Sequence, residues 1–226
     1  MPADLLIVFG RAPRPGHVKT RLAQTIGPER AAALYRAFLE DSLAKASSVE
    51  GLEAELWLAS EEDLEHVSTE LPTRVQIHAD LGRRMTHALA DGLERAERVL
   101  LIGSDAPTLP PNHLGAARDA LTGSQDLVLG PSADGGYFLV GVRGRTFDFG
   151  DTIRWSTRHA LADTLEQAAR TGRRATRIGP WYDVDDAAGL RLLRTQLALR
   201  PRMAPRTARA LAQGARSTSS TNGAAL

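Results

Sequence analysis

The chain has 226 residues, 42% of them hydrophobic and 24% charged, and its 28 basic and 27 acidic residues leave a formal net charge of +1. These values are typical of a globular protein with a sizeable core and exclude a disordered, collagenous or coiled-coil chain. The chain has no cysteine, which excludes a disulfide framework, a thiolate nucleophile and a zinc site with cysteine ligands.

The first half of the chain alternates strand and helix patterns. A fully apolar run, typical of a strand buried on both faces, precedes a loop rich in glycine and proline and a long helical pattern. No apolar run approaches the roughly 18 residues that a membrane span needs. The first strand follows Met1 almost at once, without a basic leader, so we expect a cytoplasmic protein with no membrane span. The elements predicted here are strands at 5–9, 54–59, 74–78 and 99–102 and helices at 28–45 and 82–98.

The second half continues this alternation and adds a hairpin. Two apolar runs flank a glycine-containing turn at 132–136, which predicts a pair of antiparallel strands. Because strands and helices otherwise alternate, we expect an α/β fold whose mostly parallel sheet lies between layers of helices. The elements predicted here are helices at 112–121, 158–170 and 186–199 and strands at 126–130, 137–142 and 176–178.

The charge is distributed unevenly along the chain. Every acidic residue lies at or before Asp186, so residues 187–226 carry seven arginines and no acid, and the rest of the chain is net acidic. From Arg200 onward the sequence buries little apolar surface, which predicts a single domain over 1–199 and a basic, disordered tail over 200–226. The acidic body argues against specific nucleic-acid binding, and the tail would contact a polyanion only non-specifically. We expect removal of this tail to leave activity unchanged.

The loop after the first strand has the composition of a phosphate-binding loop. Residues 10–22 contain four cations together with Gly10 and Gly16, which allow backbone N–H groups to approach an anion closely. The chain has only two lysines against 26 arginines, and Lys19 lies in this loop. A Walker A loop is excluded, because residues 17–18 separate the glycine from that lysine. A solvated basic loop is the alternative.

Carboxylates follow two further strand patterns. Asp105 comes directly after the apolar run at 99–102, where it is placed to hold Mg²⁺ or Mn²⁺ against a diphosphate or, alternatively, only to cap a turn. Asp183 and Asp185 alternate along the chain and therefore face the same side, so both can face one cation. The alternative for this run is that Asp185 or Asp186 caps the last predicted helix.

Two other segments are candidates for ligand contact. The turn Asp134-Gly135-Gly136-Tyr137 suits the approach of a sugar or base, although a plain hairpin turn explains it equally well. Asp80 begins a helix that it can cap, and Arg84 lies one turn further on, where it can reach a ligand. The six histidines lack metal-ligand spacing, and Ser104 lacks the context of a serine hydrolase.

Several motifs, in the same order along residues 5–195, resemble those of a bacterial family of GT-A-fold, nucleotide-diphospho-sugar transferase-like proteins. This family, formerly a domain of unknown function, contains proteins described as glycosyltransferases, some of them in arsenosugar biosynthesis. More distantly, the chain is similar to molybdenum-cofactor and 2-phospho-lactate guanylyltransferases. The resemblance implies a Rossmann-like, three-layer α/β/α sandwich. The motifs are FGRAPRPGHVKTRL, GPERAAALYRAFL, DLGRRM, GSDAPTL, SADGGY, RWST and WYDVD.

The resemblance also implies a set of site residues. Asp105 and Lys19 would act in catalysis, and Asp105 would hold Mg²⁺ or Mn²⁺ together with Asp185 or Asp183. The nucleotide and its phosphates would lie over Gly10, Arg11, Gly16, Lys19, Arg21, Asp80 and Arg84. The sugar or acceptor would lie against Asp134, Gly135, Gly136, Tyr137 and Trp155.

Three functions remain open at this point. The first is a metal-dependent glycosyltransferase that moves a sugar from a nucleoside diphosphate to a small-molecule acceptor. The second is a nucleotidyltransferase, guanylyl- or cytidylyl-like, that joins a nucleoside triphosphate to a phosphorylated small molecule. It is favoured by a single carboxylate, Asp105, where many GT-A glycosyltransferases have Asp-x-Asp. The third is a non-enzymatic nucleotide-binding module with the basic tail as a docking arm.

Overall fold

The structure, a computed structural model, describes residues 4–77 and 79–221. Its centre is a seven-stranded sheet in the order β3-β2-β1-β4-β6-β5-β7, in which β6 runs antiparallel to both of its neighbours and every other neighbouring pair is parallel. The strands are β1 (Asp4–Gly10), β2 (Leu52–Leu58), β3 (Thr73–Val75), β4 (Arg98–Gly103), β5 (Leu127–Pro131), β6 (Tyr137–Arg143) and β7 (Ala175–Arg177).

Helices cover both faces of this sheet. Alternate residues of β1 face opposite sides, so Leu6 and Val8 pack under α2 and α4, whereas Leu5 and Ile7 pack under α3 and α5. The predicted α/β/α sandwich with a mostly parallel sheet and an antiparallel hairpin is therefore confirmed. The α-helices are α1 (Thr20–Ile26), α2 (Pro28–Ala46), α3 (Leu81–Leu93), α4 (Pro111–Ala120), α5 (Ala160–Arg170), α6 (Ala187–Leu199) and α7 (Pro205–Thr221), and 3-10 helices lie at Glu61–His66 and Pro201–Met203.

A third apolar cluster joins the first two helices to the last two. It packs α1 and the outer side of α2 against α6 and the start of α7, with Leu22, Phe38 and Leu193 fully buried within it. This cluster lies beside the sheet rather than on it. It gives the C-terminal helices a core of their own.

The predicted disorder from Arg200 is wrong for the part of the tail that the structure describes. Residues 201–203 form a 3-10 helix, and α7 follows from Pro205. The buried carboxylate of Asp41 in α2 accepts hydrogen bonds from the first backbone N–H groups of α7, from Arg206 at 3.2 Å and from Thr207 at 2.8 Å. A helix cap supplied by a distant element has no signal in the local composition. Residues 222–226 lie outside the described residues.

The other differences concern element boundaries. The helix predicted at 82–98 ends at Leu93, because the strand β4 already begins at Arg98. The short helix α1 and the 3-10 helix Glu61–His66 were not predicted. The strand predicted at 74–78 is confirmed only as Thr73–Val75, and His78 lies outside the described residues. Within 4–77 and 79–221, no helix combines the length and the apolar character that crossing a membrane would require.

Candidate active site

The candidate site lies where the order of the parallel strands reverses. β1 and β4 are neighbours in the middle of the sheet, and the chain leaves their carboxyl ends through the loop 11–19 and the segment 104–107. Open α/β sheets bind their ligands in the crevice at such a point. The segment 183–185 joins this edge through the backbone N–H of Val184, which donates to the carbonyl oxygen of Asp105 at 2.9 Å.

Lys19 is the centre of the site. Its ammonium nitrogen Nζ lies 2.6 Å from Oδ1 of Asp105 and 2.7 Å from Oδ1 of Asp185. Arg21 holds the other oxygen of Asp185 at 3.0 Å. The Lys19 side chain is only 5% exposed, whereas those of Asp105 and Asp185 are 43% and 36% exposed. The fold therefore gathers two partly open carboxylates around one buried cation.

The backbone at Lys19 has an uncommon conformation. Its φ of 49° and ψ of 44° lie in the left-handed region, which a residue other than glycine seldom adopts. Left-handed, non-glycine residues concentrate at functional sites, where surrounding contacts hold them in place. Here the two carboxylates of Asp105 and Asp185 provide those contacts.

The electrostatics of the three charged groups follow from this arrangement. Burial alone would lower the pKa of Lys19, but the charges of Asp105 and Asp185 outweigh it and raise that pKa above its usual value. Burial would likewise raise the pKa of Asp185, yet Lys19 and Arg21 bring it below its usual value. Both effects favour the ionised pair at neutral pH.

Asp183 differs from its neighbour in the same run. Burial, followed by the charges of Asp105 and Asp185, raises the pKa of Asp183 to about 7. The charges of both Asp105 and Asp185 therefore act on Asp183, and its alignment with Asp185 toward one cation stays a prediction. The capping alternative is also realised, by Asp186, whose side chain accepts from the first N–H groups of α6.

The first loop is partly held by its own contacts. The guanidinium of Arg14 pairs with the buried carboxylate of Asp63 at 3.2 Å and with Glu62 at 3.3 Å, so this cation fastens the loop to a 3-10 helix. Gly16 has a φ of +80° and open space around its Cβ position, so it is needed for a turn and not for a close approach. Gly10, in contrast, would bring a Cβ within 3.2 Å of core leucines.

A small cavity lies next to this loop. Its volume is about 170 Å³. Arg11 and Arg84, both predicted to contact the nucleotide, line this cavity. Asp80 caps α3 as its position predicted, accepting from the N–H of Arg83 at 2.8 Å, and its contact with a nucleotide stays a prediction. The lining residues are Arg11, Ala12, Arg14, His17, Ala59, Ser60, Asp63 and Arg84.

The predicted sugar-binding turn is built around its glycines. Asp134 accepts from the N–H of Gly136 at 3.0 Å and also bonds to the hydroxyl of Ser132. Gly135 has a φ of +89°, and a Cβ there would lie 2.4 Å from the carbonyl oxygen of Arg158, so only glycine fits. The charge of Asp134 contributes to the raised pKa of Asp183, which brings this turn into the electrostatic field of the site.

The two aromatic residues assigned to the sugar or acceptor pack against each other. The rings of Tyr137 and Trp155 lie 6.3 Å apart, edge to face, and Trp155 also contacts Phe149. The Tyr137 hydroxyl lies 3.5 Å from Thr164 of α5. The structure thus accounts for these rings by packing, and their contact with a ligand stays a prediction.

Sequence reasoning missed several polar residues that border the site. Tyr35 lies on the core-facing side of α2 and Lys45 in its last turn, and their polar atoms bond to Ser104 and to the carbonyl of Pro107. Gln76 follows β3 and donates to the carbonyl of Trp57 at 2.8 Å. The rarity of lysine was a signal for Lys45, whereas Tyr35 has the sequence pattern of an ordinary core residue.

The carboxylates fit a divalent cation that shares its ligands with a substrate. Among residues 4–77 and 79–221, no three His, Cys, Asp or Glu side chains form a ready metal-binding group. Asp105 and Asp185 nevertheless bind the same ammonium nitrogen, so their oxygens are close enough to reach one cation. Mg²⁺ is commonly held by one or two carboxylates together with substrate phosphates and water, and this donor set fits that pattern.

Solved structures with the same fold include a transferase that resembles this chain over nearly its whole length. A protein from Desulfovibrio desulfuricans G20, provisionally named a nucleotide-diphospho-sugar transferase, is 29% identical to the chain, with a TM-score of 0.85 over 96% of both chains. A nucleotidyl transferase from Methanothermobacter is 15% identical, with a TM-score of 0.60 over 88% of this chain and 100% of the other. The similarity to the Desulfovibrio desulfuricans protein supports the prediction of an enzyme of the transferase class, whereas the Methanothermobacter protein, at 15% identity, shares the fold alone.

A more distant structure shares the fold alone. It is CMP:2-keto-3-deoxy-manno-octonic acid synthetase in complex with CTP, 12% identical, with a TM-score of 0.53 over 88% of this chain and 99% of the other. No curated protein gives a significant match. The sequence profile of one family matches residues 42–157, about half of the chain. The chain therefore belongs to the family described as "Uncharacterized protein conserved in bacteria (DUF2064)".

Proposed function

We propose that the protein is a divalent-metal-dependent glycosyltransferase that takes a sugar from a nucleoside-diphosphate sugar and passes it to a small-molecule acceptor. The observation that carries this proposal is the convergence of Asp105, Asp185 and Lys19 at the carboxyl ends of β1 and β4. This group lies beside a loop that contains further cations. In this reaction the nucleoside diphosphate is the leaving group. Its charge is stabilised by a divalent cation, which carboxylates would hold, and by basic side chains that contact the phosphates.

Asp105 and Asp185 would hold Mg²⁺ or Mn²⁺. Bound there, the cation would neutralise charge on the diphosphate as the sugar departs. Asp183 is less suited to be a ligand at neutral pH, because its raised pKa keeps a large fraction of it protonated. It would instead limit the negative charge that accumulates in the site.

Lys19 would have two successive sets of partners. In the structure its ammonium group neutralises both carboxylates, a role that a bound divalent cation would take over. Lys19 would then be available to bind phosphate oxygens, with Arg21 at the more exposed side of the site. A compact ammonium on a flexible stem suits such an exchange better than a planar guanidinium does.

The rest of the substrate would extend to either side of this centre. On one side, the nucleoside would lie over the loop that contains Gly10 and Gly16, in the cavity lined by Arg11 and Arg84. On the other, the turn 132–136 approaches the acidic group through Asp134, as expected for a segment that contacts the sugar or acceptor. The assignment of glycosyl transfer rests further on the Desulfovibrio desulfuricans protein, which resembles this chain over nearly its whole length.

A nucleotidyltransferase, guanylyl- or cytidylyl-like, is the second candidate. The observation that favours it is that the two carboxylates come from separate segments, Asp105 after β4 and Asp185 before α6. The positions two residues before and after Asp105, where the partner of an Asp-x-Asp pair would stand, hold Gly103 and Pro107. In that reaction a substrate phosphate would attack the α-phosphorus of a nucleoside triphosphate, and pyrophosphate would leave. The same cation and Lys19 would then stabilise pyrophosphate.

The two reactions release different products, which gives the test. The protein is incubated with Mn²⁺ and a panel of nucleoside-diphosphate sugars and nucleoside triphosphates, with cell-extract small molecules as acceptors. Release of a nucleoside diphosphate from a sugar nucleotide supports the proposal, and release of pyrophosphate from a triphosphate replaces it with the second candidate. Binding of a nucleotide without any turnover would favour the non-enzymatic module. If no nucleotide binds, all three functions fail.

A further inference from the structure

The segment that carries Asp105 is held on both sides by one helix. Before Asp105, the hydroxyl of Tyr35 in α2 lies 2.7 Å from the hydroxyl of Ser104. After it, the ammonium group of Lys45, in the last turn of the same helix, donates to the carbonyl oxygen of Pro107. The two α2 side chains thus hold the segment 104–107 from either end, with Asp105 between them.

The contact between Tyr35 and Ser104 is buried and connects to the rest of the site, and the contact between Lys45 and Pro107 is partly buried. Tyr35 is 4% exposed and Ser104 is 3% exposed. The Tyr35 hydroxyl also accepts from the backbone N–H of Arg11 at 3.1 Å, so one phenol ties the loop after β1 to the segment after β4. Because both hydroxyls are buried, neither can exchange its partner for water unless the core opens. These hydrogen bonds therefore fix the loop after β1 relative to the segment after β4.

The Asp105 side chain is held mainly by Lys19. It is 43% exposed, and its carboxylate pairs with the ammonium group of Lys19. Its backbone is better fixed, because its carbonyl accepts from Val184 at 2.9 Å and the neighbouring carbonyl of Ala106 accepts from Leu109 at 2.9 Å. The direction of the carboxylate therefore depends on how firmly the backbone of 104–107 is held.

We propose that Tyr35 and Lys45 are positioning residues, which set the carboxylate of Asp105 against that of Asp185 by fixing Ser104 and Pro107. Each side chain would act through the backbone that carries Asp105 and not through a contact of its own with the cation. The proposal rests on the proposed function, because its consequence is the affinity of Asp105 and Asp185 for a divalent cation. Groups that orient metal ligands typically change metal affinity 10- to 100-fold when they are removed.

The test compares conservative variants with matched controls. Tyr35→Phe removes one hydroxyl and keeps the ring, Lys45→Met removes the donor and keeps the length, and Lys45→Arg restores a donor. Thr164→Val is the control for the first, because Thr164 is fully buried and its hydroxyl donates within α5 to Ala160 at 2.8 Å. Arg118→Met is the control for the second, because Arg118 donates to the carbonyl of Glu50 at 2.8 Å.

Two readouts separate positioning from general stability. The first is the affinity for Mn²⁺ alone, measured by electron paramagnetic resonance. The second is hydrogen exchange of the Val184 and Leu109 amides, together with the melting temperature. Tyr35→Phe and Lys45→Met should each weaken Mn²⁺ binding about 10-fold and lose protection at both amides. Lys45→Arg should recover most of the Mn²⁺ affinity and of the amide protection. The two control variants should leave the affinity and the protection unchanged, even where they lower the melting temperature.

The outcomes distinguish this proposal from the proposed function. If the wild-type protein binds Mn²⁺ and both variants bind it equally well, the positioning roles are refuted. If the wild-type protein does not bind Mn²⁺, the proposed metal-dependent function fails. In that case the amides still decide the positioning proposal: lost protection in the variants supports it, and unchanged protection overturns it.

Discussion

Replacement of Lys19 by methionine should change metal binding and nucleotide binding in opposite directions. Methionine keeps most of the length of the side chain, and the ammonium that it removes lies about 6 Å from the ring centres of Tyr35 and Phe38, in a partly apolar surrounding. The fold should therefore accept it. The change removes the cation that neutralises Asp105 and Asp185.

The size of the effect follows from the two ion pairs. A hydrogen bond between charged groups contributes about 1.5 kcal/mol where, as here, the carboxylates are about two-fifths exposed. A divalent cation that binds Asp105 and Asp185 must displace both bonds, at a cost of roughly 3 kcal/mol, or about 100-fold in affinity. Without Lys19 that cost disappears, so Mn²⁺ alone should bind up to about 100-fold more tightly to Lys19→Met than to the wild type. Nucleotide binding in the presence of Mn²⁺ should weaken at least about 10-fold, because one charged contact to phosphate is lost.

Arg21→Met is the matched control. Arg21 also pairs with Asp185, at 3.0 Å, but its side chain is 69% exposed, so water screens its charge. Its removal should change Mn²⁺ affinity less than about 3-fold. Isothermal titration of Mn²⁺ into the three proteins, with and without nucleotide, measures both effects. Mn²⁺ binding that is unchanged or weaker in Lys19→Met would refute the idea that Lys19 occupies the place of the metal.

Three further predictions test the fold around the site. Removal of residues 201–226 should destabilise the protein by at least about 3 kcal/mol in urea unfolding, because the buried carboxylate of Asp41 loses its N–H donors; an unchanged unfolding midpoint would show that α7 is dispensable. Gly135→Ala should lower the free energy of unfolding by more than about 2 kcal/mol. Gly144→Ala should lower it by about 1 kcal/mol, because Gly144 also has a positive φ but has open space around its Cβ position. Equal melting temperatures of the two variants would contradict the expected clash with the backbone of Arg158. Burial lowers the pKa of Lys45 to about 8 although Asp41 opposes it, so the folded state gives up this proton before the unfolded state does. Stability should therefore rise with pH above about 8. Between pH 8 and pH 9.5, the free energy of unfolding of the wild type should rise by about 2 kcal/mol relative to that of Lys45→Met. A constant difference between the two proteins would place Lys45 in a more hydrated environment.

The sheet and its layers were predictable because their signals are local. Short apolar runs such as 5–9 and 99–102 are typical of strands buried on both faces, and their alternation with helical patterns indicates a parallel sheet. The ends of those strands then located Asp105 and the first loop. That Asp105 shares its site with Asp185 or Asp183 was implied by the resemblance to the GT-A-fold family and not by the strand pattern.

The parts that could not be predicted depend on contacts between distant segments. Lys19 was expected to face a phosphate, yet it forms ion pairs with Asp105 and with Asp185, the latter 166 residues further along the chain. The apolar residues of the tail from Arg200 are mostly alanines, and the cap that orders its helix comes from Asp41. Composition and periodicity report only on residues that are close in the sequence. They therefore do not predict ion pairs or helix caps between residues that are far apart in the sequence.

The most direct test of the account is whether a nucleoside diphosphate binds through a metal held by Asp105. Titration calorimetry with UDP, GDP, CDP, ADP and dTDP, each with and without Mn²⁺, would compare the wild type with Asp105→Ala. The account predicts that at least one of these nucleotides binds to the wild type only when Mn²⁺ is present, and that Asp105→Ala loses this binding while its melting temperature stays close to that of the wild type. Binding that is independent of Mn²⁺, or equal in both proteins, would contradict it.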